Sequence, residues 1–178
     1  MAEELAMVII NPYTLFKSRT GGVISRLLSR GNYELVGARM FSPSESLIDE
    51  YCKIEESEKT DNPEVSKLIV RYIRENYAAN PATGARKRLM VLLFKGEDVI
   101  NKLRTEIVGH ITRESIAGET IRDTYGDYVV GQNGEVKYFE PAVLVIPDKD
   151  RAERTLRLWA KYSDSDGGLL KDVVKYEK

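Results

Sequence analysis

The sequence predicts an α/β fold in which helices pack on a small sheet. Short apolar runs of strand length alternate with segments of helical periodicity, and this alternation excludes an all-α or an all-β protein. With 178 residues, the chain has the size of one domain, with or without an insertion. The predicted order is strand, helix, strand, helix, helix, strand, helix, hairpin, strand and helix.

The N-terminal part predicts two strands with a helix between them. The continuous apolar run from Leu5 to Ile10 is typical of a strand buried on both faces, and Pro12 ends it because proline cannot donate to a ladder. Gly21-Gly22 opens a helical pattern whose apolar side chains lie on one face. Residues 33–41 then predict the second strand.

Two further helices have strong local signals. Ser42-Pro43-Ser44-Glu45 has the spacing of a capping box, which predicts a helix from Ser42 to about Lys53. Residues 54–62 are polar and charged and predict a surface loop. After Asn62-Pro63, apolar side chains at helical spacing predict a core-facing helix. They are Val65, Leu68, Ile69, Tyr72 and Ile73.

The next part predicts the centre of the sheet and a hairpin. Residues 88–94 (RLMVLLF) are typical of a buried central strand, and an amphipathic helix follows with an apolar stripe between Val99 and Ile107. Gln132-Asn133-Gly134 lies between β-prone residues. This turn chemistry predicts a hairpin over 128–139.

The C-terminal part predicts a strand, a helix and a tail. Residues 142–146 indicate a last core strand. Asp148 is a suitable N-cap, and the periodicity after it predicts a helix through Trp159. From Ser163 onward the chain is polar and contains glycine, which predicts a tail over 163–178.

Composition and charge exclude several classes of function. The 27 basic and 28 acidic residues leave a net charge of -1, which gives no global field to attract polyanions, so no nucleic-acid partner is expected. The single cysteine excludes an intrachain disulfide and a cysteine-based zinc site. No apolar stretch reaches the roughly 18 residues of a membrane span. We therefore expect a cytoplasmic protein without a membrane partner.

Three stretches resemble the nucleoside diphosphate kinase family. IINPYTLFKSRTGGVISRLLSRGNYELVGARM at 9–40 is similar, without a gap, to the family's first strand, Ile-Lys-Pro-Asp segment, first helix and second strand. Residues 91–122 contain LLFKGEDVINKLR and GETIRDTYG, which resemble the central strand, the following helix and the Pro-Gly-Thr-Ile-Arg segment. RAERTLRLW at 151–159 resembles the last helix.

The resemblance implies a ferredoxin-like sandwich with a small, mainly antiparallel sheet. It covers most of the chain in the right order, so we expect a single domain over 1–178. Two segments have no counterpart in the family's pattern and are expected to be insertions. They are residues 53–62 and 124–140.

The resemblance also implies the positions of a phosphate site. The family transfers a γ-phosphoryl group between nucleotides through a phosphohistidine, and the histidine position falls on Leu144. Arg104 and Arg122 match the two phosphate-binding arginines, and Thr112 matches the threonine between them. Asn11 occupies the place of the lysine in Ile-Lys-Pro-Asp. A nucleotide-binding remnant is therefore expected without the nucleophile.

The other chemical groups of the family are also replaced. Its asparagine, serine and glutamate positions fall on Pro141, Ile146 and Thr155. The one histidine in the sequence is His110, which is a remote candidate for a displaced phosphoacceptor. No catalytic residue and no metal site of the chain's own are predicted, and Mg²⁺ is expected only with a bound nucleotide.

The favoured interpretation is a catalytically silent nucleoside diphosphate kinase-like protein that binds nucleotide or phosphate weakly and forms a homo-oligomer. It rests on the joint loss of groups that act as a unit. Two alternatives stay open. One is an active divergent kinase that transfers the γ-phosphate directly or through His110. The other is a non-catalytic assembly subunit that keeps the family's oligomerising sheet edge and helices while the pocket is closed. For the hairpin region 124–140, the sequence leaves open whether it covers a sheet edge, provides an association surface or shields the former active site.

Overall fold

The computed structural model describes residues 3–56, 63–111 and 118–168. Six strands and eight helices lie in these ranges. The strands are β1 (Glu3–Ile10), β2 (Glu34–Phe41), β3 (Leu89–Glu97), β4 (Asp127–Val130), β5 (Val136–Glu140) and β6 (Val143–Val145). The helices are α1 (Pro12–Phe16), α2 (Thr20–Ser29), α3 (Glu45–Glu56), α4 (Pro63–Tyr77), α5 (Val99–Lys102), α6 (Ile121–Tyr125), α7 (Lys149–Lys161) and α8 (Ser163–Asp166).

Four strands form one antiparallel sheet in the order β2-β3-β1-β6, and β4 and β5 form a separate hairpin. The apolar run of β1 lies in the interior of the sheet, where Val8, Ile9 and Ile10 are fully buried. It pairs with β3 along its whole length and with β6 through three residue pairs. The predicted α/β fold with an antiparallel sheet and an added hairpin is thereby confirmed.

Trp159 joins three elements of the core. Its ring lies 5.1 Å from that of Phe41 on β2 and 5.5 Å from that of Tyr51 on α3, measured between centroids, and both contacts are edge-on. Edge-on aromatic contacts stabilise a core beyond the area that they bury. The predicted start of α7 is also confirmed, because the Asp148 side chain accepts a hydrogen bond from the Arg151 backbone at 2.9 Å.

The start of α3 differs from the prediction. The helix begins at Glu45, and the Ser44 side chain accepts a hydrogen bond from the Leu47 amide at 3.3 Å. The cap is therefore Ser44 rather than Ser42. The Ser42 amide donates to the backbone oxygen of Asp166 at 2.8 Å. The predicted loop over 54–62 also begins later, since α3 continues to residue 56, and residues 57–62 lie outside the described ranges.

The helix predicted over 99–107 changes its winding. It is α-helical to Lys102 and then π-helical over Leu103–Val108. Gly109 follows with φ of +88°, a conformation that glycine adopts without strain. Single π-turns within helices occur often at functional sites.

Three short helices were not predicted. The helices α1, α6 and α8 have five residues or fewer, too short for an apolar period to repeat. No helix of the described residues has the length and apolar content needed to cross a membrane.

The predicted hairpin is confirmed as β4 and β5. Its turn contains Gly134 at φ of +78°, the left-handed region that this type of turn requires. The hairpin packs on α4 through Phe139, whose ring centroid lies 5.6 Å from that of Tyr72. Four of its apolar side chains are 40–48% exposed. They are Tyr128, Val129, Val130 and Tyr138.

Candidate functional site

Two arginines hold the chain at the two ends of β6. Arg104 lies in the π-helical turn, and its Nη1 donates to the carbonyl of Pro147 at 2.7 Å, just after the strand. Arg122 lies on α6, and its Nη2 donates to the carbonyl of Val143 at 3.3 Å, where the strand begins. Arg122 Nη1 also donates to the carbonyl of Gly109. The two predicted phosphate-binding arginines therefore flank the same strand.

The position of Arg122 follows from local sequence. Thr120 and Asp123 form a capping box: the Thr120 side chain accepts from the Asp123 amide, and the Asp123 carboxylate accepts from the Thr120 amide at 3.0 Å. Thr120 lies close to Gly109: a Cβ added to Gly109 would be 2.4 Å from the Thr120 hydroxyl oxygen. The glycine thus lets α6 approach the end of the π-turn, which brings Arg122 to the Gly109 carbonyl.

No carboxylate in the described part of the chain pairs with the Arg122 guanidinium. Its Nε is buried and has no hydrogen-bond partner among the described residues. Within those ranges the hydrogen bonds of Arg104 and Arg122 end on backbone carbonyls, and no ion pair joins either to a carboxylate. Burial, followed by repulsion from Arg104, lowers the pKa of Arg122 to about 9. An anion beside the two guanidinium groups would relieve both effects.

The remaining predicted site residues have different surroundings. His110 is exposed and follows Gly109, the residue whose carbonyl accepts from Arg122. Thr112 lies outside the described residues. Asn11 is fully buried, and its side chain bonds to Glu140 and Tyr77 rather than to either arginine. The structure therefore associates Arg104 with Arg122 and places Asn11 in another environment.

The positions that the resemblance assigns to the family's chemical groups are packed in the interior. Leu144 is 3% exposed and pairs with Ile9 of β1. Pro141 and Ile146 are also buried. Thr155 is buried on α7, and its hydroxyl has no hydrogen-bond partner among the described residues. None of these four side chains is an imidazole or a carboxylate.

A buried polar cluster lies at the start of β6, and sequence analysis missed it. We call it the Glu140 cluster: Glu140, Asn11, Tyr72, Tyr77 and the amide of Ala142. The Tyr72 hydroxyl donates to the Glu140 carboxylate, with distances of 2.6 and 2.8 Å to its two oxygens. Asn11 Nδ2 donates to Glu140 at 3.3 Å, and the Tyr77 hydroxyl donates to Asn11 Oδ1 at 2.7 Å. The Ala142 amide donates to Glu140 at 3.0 Å.

The Glu140 cluster holds a strained backbone at the entry to β6. Ala142 has φ of +61°, which is unfavourable for a residue with a side chain. Its carbonyl accepts from the Asn11 amide at 3.1 Å and from the Thr14 hydroxyl at 2.7 Å. These bonds fix the segment that leads to Val143, whose carbonyl anchors Arg122.

Burial dominates the electrostatics of Glu140. It raises the pKa of the carboxyl, and the hydrogen bonds from Tyr72, Asn11 and Ala142 oppose this effect only in part. Burial also raises the pKa of Tyr72, as does the nearby Glu140 charge. The sequence signal for this cluster was weak, because Tyr72 belongs to an apolar helical stripe and Glu140 lies in the predicted insertion.

A second buried charge cluster joins α3 to α7. Arg151 is buried, and its guanidinium contacts Glu55 at 3.3 Å and Asp148 at 2.7 Å. Burial raises the pKa of Glu55, and the neighbouring Arg151 opposes that shift. This cluster is internally paired and stabilises the packing of the two helices. In the described ranges, no three histidine, cysteine or carboxylate side chains are arranged to hold a metal ion.

Comparison with solved structures finds the same fold in nucleoside diphosphate kinases. The enzyme from Borrelia burgdorferi with bound vanadate and ADP superposes with a TM-score of 0.64 at 16% identity, over 99% of this chain and 93% of that one. The Pyrobaculum aerophilum enzyme gives a TM-score of 0.63 at 19% identity, over 98% and 100%. The Aquifex aeolicus enzyme gives 0.60 at 18%, over 88% and 94%. No family model and no curated protein matches the sequence.

Replacement of Glu140 by Gln should change how stability depends on pH. The pKa of Glu140 is raised above the ordinary 4.5 in the folded protein, so the wild type is stabilised by this group below pH 4.5 and loses that contribution as pH rises through the raised pKa. The free energy of unfolding of Glu140→Gln should therefore rise relative to that of the wild type as pH increases through this window. Above the raised pKa, the difference between the two proteins should become constant. Urea unfolding from pH 4 to 8 measures it.

The exposed hairpin residue Glu135 supplies the control. Glu135→Gln makes the same chemical change without altering the buried cluster. Its free energy of unfolding should therefore show no such rise relative to the wild type. A constant difference between Glu140→Gln and the wild type across the whole range would contradict the assignment of a buried, destabilised carboxylate.

Proposed function

We propose that this protein binds the phosphate groups of a nucleoside di- or triphosphate on a nucleoside diphosphate kinase-like fold, without phosphoryl transfer through a histidine. The pair of guanidinium groups beside β6 carries the proposal, because Arg122 has a buried Nε without a described partner and no counter-charge. Paired guanidinium groups suit the oxygens of a phosphate. Mg²⁺ would enter with the nucleotide, held by its phosphate oxygens.

The site favours binding over chemistry. A phosphohistidine mechanism needs an accessible imidazole held by a polar partner, and the position implied for it is the buried Leu144. The resemblance places the family's base-stacking aromatic after Asn62-Pro63, where the sequence continues with Glu64 and Val65. Because stacking contributes about 1–3 kcal/mol, we expect weak affinity, carried mainly by the phosphates. The proposal extends to a single cytoplasmic domain over 1–178 that assembles as a homo-oligomer.

A thermal-shift titration with Mg-ADP and Mg-ATP tests nucleotide binding. Ligand that binds the folded state raises Tm by mass action, equivalent to about 2.7 kcal/mol at a hundredfold excess over Kd. The wild type should show a saturable rise, and Arg104→Ala and Arg122→Ala should each lose most of it, because each removes one of the two cations. Each variant is compared with its own nucleotide-free Tm, which separates binding from intrinsic stability.

Arg157→Ala is the matched control, because Arg157 is an exposed arginine on α7 that pairs with Glu153. It should keep the full nucleotide-induced rise in Tm. Absence of any rise in the Tm of the wild type at millimolar Mg-ADP would refute phosphate binding. An equal loss of the nucleotide-induced rise in Arg157→Ala would show that the response depends on overall positive charge and not on Arg104 and Arg122.

The exposure of His110 beside the Arg122 anchor motivates the alternative of an active kinase. The proposal predicts no transfer of a radiolabelled γ-phosphate from ATP to another nucleoside diphosphate and no acid-labile phosphoprotein. The wild type and His110→Ala should therefore give the same background. Transfer by the wild type that disappears in His110→Ala would overturn the proposal and establish a displaced phosphoacceptor.

The exposed apolar surface of the hairpin favours a further alternative, a non-catalytic assembly subunit. Val129 is 48% exposed on β4, next to exposed tyrosines on both strands, and clustered apolar exposure marks association surfaces. If the hairpin holds copies together, Val129→Glu should lower the mass measured by light scattering after size-exclusion chromatography. Leu28→Glu, at a residue 50% exposed on α2, should leave it unchanged. Equal masses for all three proteins would exclude this surface.

A further inference from the structure

One face of α2 carries three arginines and a glycine. Arg19 directly precedes the helix, Gly22 and Arg26 lie within it, and Arg30 directly follows it. The spacings of three, four and four residues place them on the same side of the helix. The short helix α6, which carries Arg122, packs against this side. We call the three arginines and the glycine the α2 clamp.

Two arginines of the α2 clamp hold the N-terminal end of α6. Arg26 Nη1 donates to the carbonyl of Thr120 at 2.8 Å, and Arg30 Nη1 donates to that of Glu119, the residue before it. Within the described ranges neither arginine pairs with a carboxylate. Hydrogen bonds from a charged donor are stronger than those between neutral groups. The backbone at the start of α6 is thus tied to α2 by charge-assisted bonds.

The C-terminal end of α6 is held through Tyr125. Arg19 Nη1 donates to the Tyr125 carbonyl at 3.0 Å. The centroid of the Tyr125 ring is 5.4 Å from the guanidinium carbon of Arg26, within the range of a cation–π contact. A Cβ added to Gly22 would be 2.2 Å from the Tyr125 hydroxyl oxygen and 2.7 Å from the ring carbon that carries it. Gly22 therefore leaves the space that the ring occupies.

The helix α6 depends on such contacts because it is short. A helix of five residues is unstable in isolation, so tertiary contacts decide where it lies. Arg122 lies between Thr120 and Tyr125, the two residues of this segment whose carbonyls accept from Arg26 and Arg19. The backbone position of Arg122 therefore depends on α2, although its guanidinium bonds are made to other parts of the chain.

We propose that the α2 clamp holds Arg122 where it can bind phosphate, so that Gly22 and Arg26 are positioning residues of the anion site. This inference rests on the phosphate binding proposed above. Neither residue needs to contact the nucleotide, because each acts through α6. A guanidinium that is held in place before binding loses less conformational entropy on binding, which favours affinity. Loosening of α6 should therefore weaken nucleotide binding even when Arg104 and Arg122 are both present.

A pair of glycine variants tests the proposal without any change of charge. Gly22→Ala places a methyl group in the space of the Tyr125 ring, whereas a Cβ on the neighbouring Gly21 meets no atom within 4 Å. Both variants replace glycine by alanine in the same helix, so their effects on helix propensity match. Calorimetric titration with Mg-ADP should give a Kd that is raised about tenfold in Gly22→Ala, the order of one hydrogen bond to a charged group. The Kd of Gly21→Ala should equal that of the wild type.

Amide hydrogen exchange shows separately whether α6 has loosened. The Gly126 amide donates to the Arg122 carbonyl at 2.9 Å, so it should exchange faster in Gly22→Ala than in the wild type or in Gly21→Ala. Faster exchange with an unchanged Kd would overturn the proposal, because the clamp would then stabilise α6 without affecting the site. Equal exchange in all three proteins would also overturn it. Absence of Mg-ADP binding by the wild type would instead refute the phosphate binding itself, and the wild-type titration shows this before any variant is compared.

Arg26→Ala tests the α2 clamp independently, and it serves if Gly22→Ala does not fold. It removes the bond to the Thr120 carbonyl and the contact with the Tyr125 ring, so the Kd for Mg-ADP should again rise and the amide in α6 should again exchange faster. Arg157→Ala removes the same charge from an exposed position on α7 and should change neither quantity. Equal Kd values for Arg26→Ala and Arg157→Ala, at a temperature where both are folded, would overturn the proposal. A role in overall stability alone would lower Tm and leave Kd unchanged.

Discussion

The pairing of β6 with β1 is the constraint on which the candidate site depends. Only three residue pairs join the two strands, so β6 needs support at both of its ends. The Glu140 cluster fixes the chain before Val143, and Arg122 and Arg104 hold the carbonyls of Val143 and Pro147. The groups that position the strand are therefore also the groups that could bind an anion. Displacement of β6 would disturb the Pro147 anchor of Arg104 and the Val143 anchor of Arg122, and would leave Arg122 bonded to Gly109.

Two ionisable side chains near the start of β6, Glu140 and Arg122, do not pair with each other in the described ranges. Among the described residues, the Glu140 carboxylate accepts only from uncharged donors, and Arg122 donates only to backbone carbonyls. An unpaired buried charge is destabilising, typically by several kcal/mol before hydrogen bonds offset it. The Glu55 and Arg151 pair shows that the same protein neutralises buried charges elsewhere. Among the described residues, Arg122 therefore differs from Arg151 in having no carboxylate partner.

The sequence predicted the elements whose signals are local and long. The strands β1 and β3, the helices α4 and α7, and the hairpin turn at Gly134 follow from apolar runs, periodicity and turn chemistry. The start of α3 was misplaced because Ser42 and Ser44 are both suitable caps by residue type, and the structure uses Ser44. The Glu140 cluster could not be predicted, since it joins residues from three separate parts of the chain. The arginines were found only through the family resemblance, as arginines on short helical segments have no pattern of their own.

Binding and chemistry depend on different atoms in this architecture. The arginines are positioned by backbone carbonyls at the ends of β6, which any side chain on that strand would leave in place. At the positions that the family resemblance assigns to the nucleophile and to the group that orients it, Leu144 on β6 and Thr155 on α7 are buried. Apolar packing of Leu144 stabilises the pairing of β6 with β1, and it therefore also supports the carbonyl anchors at the two ends of β6. The backbone anchors of both arginines are therefore compatible with an apolar core at position 144.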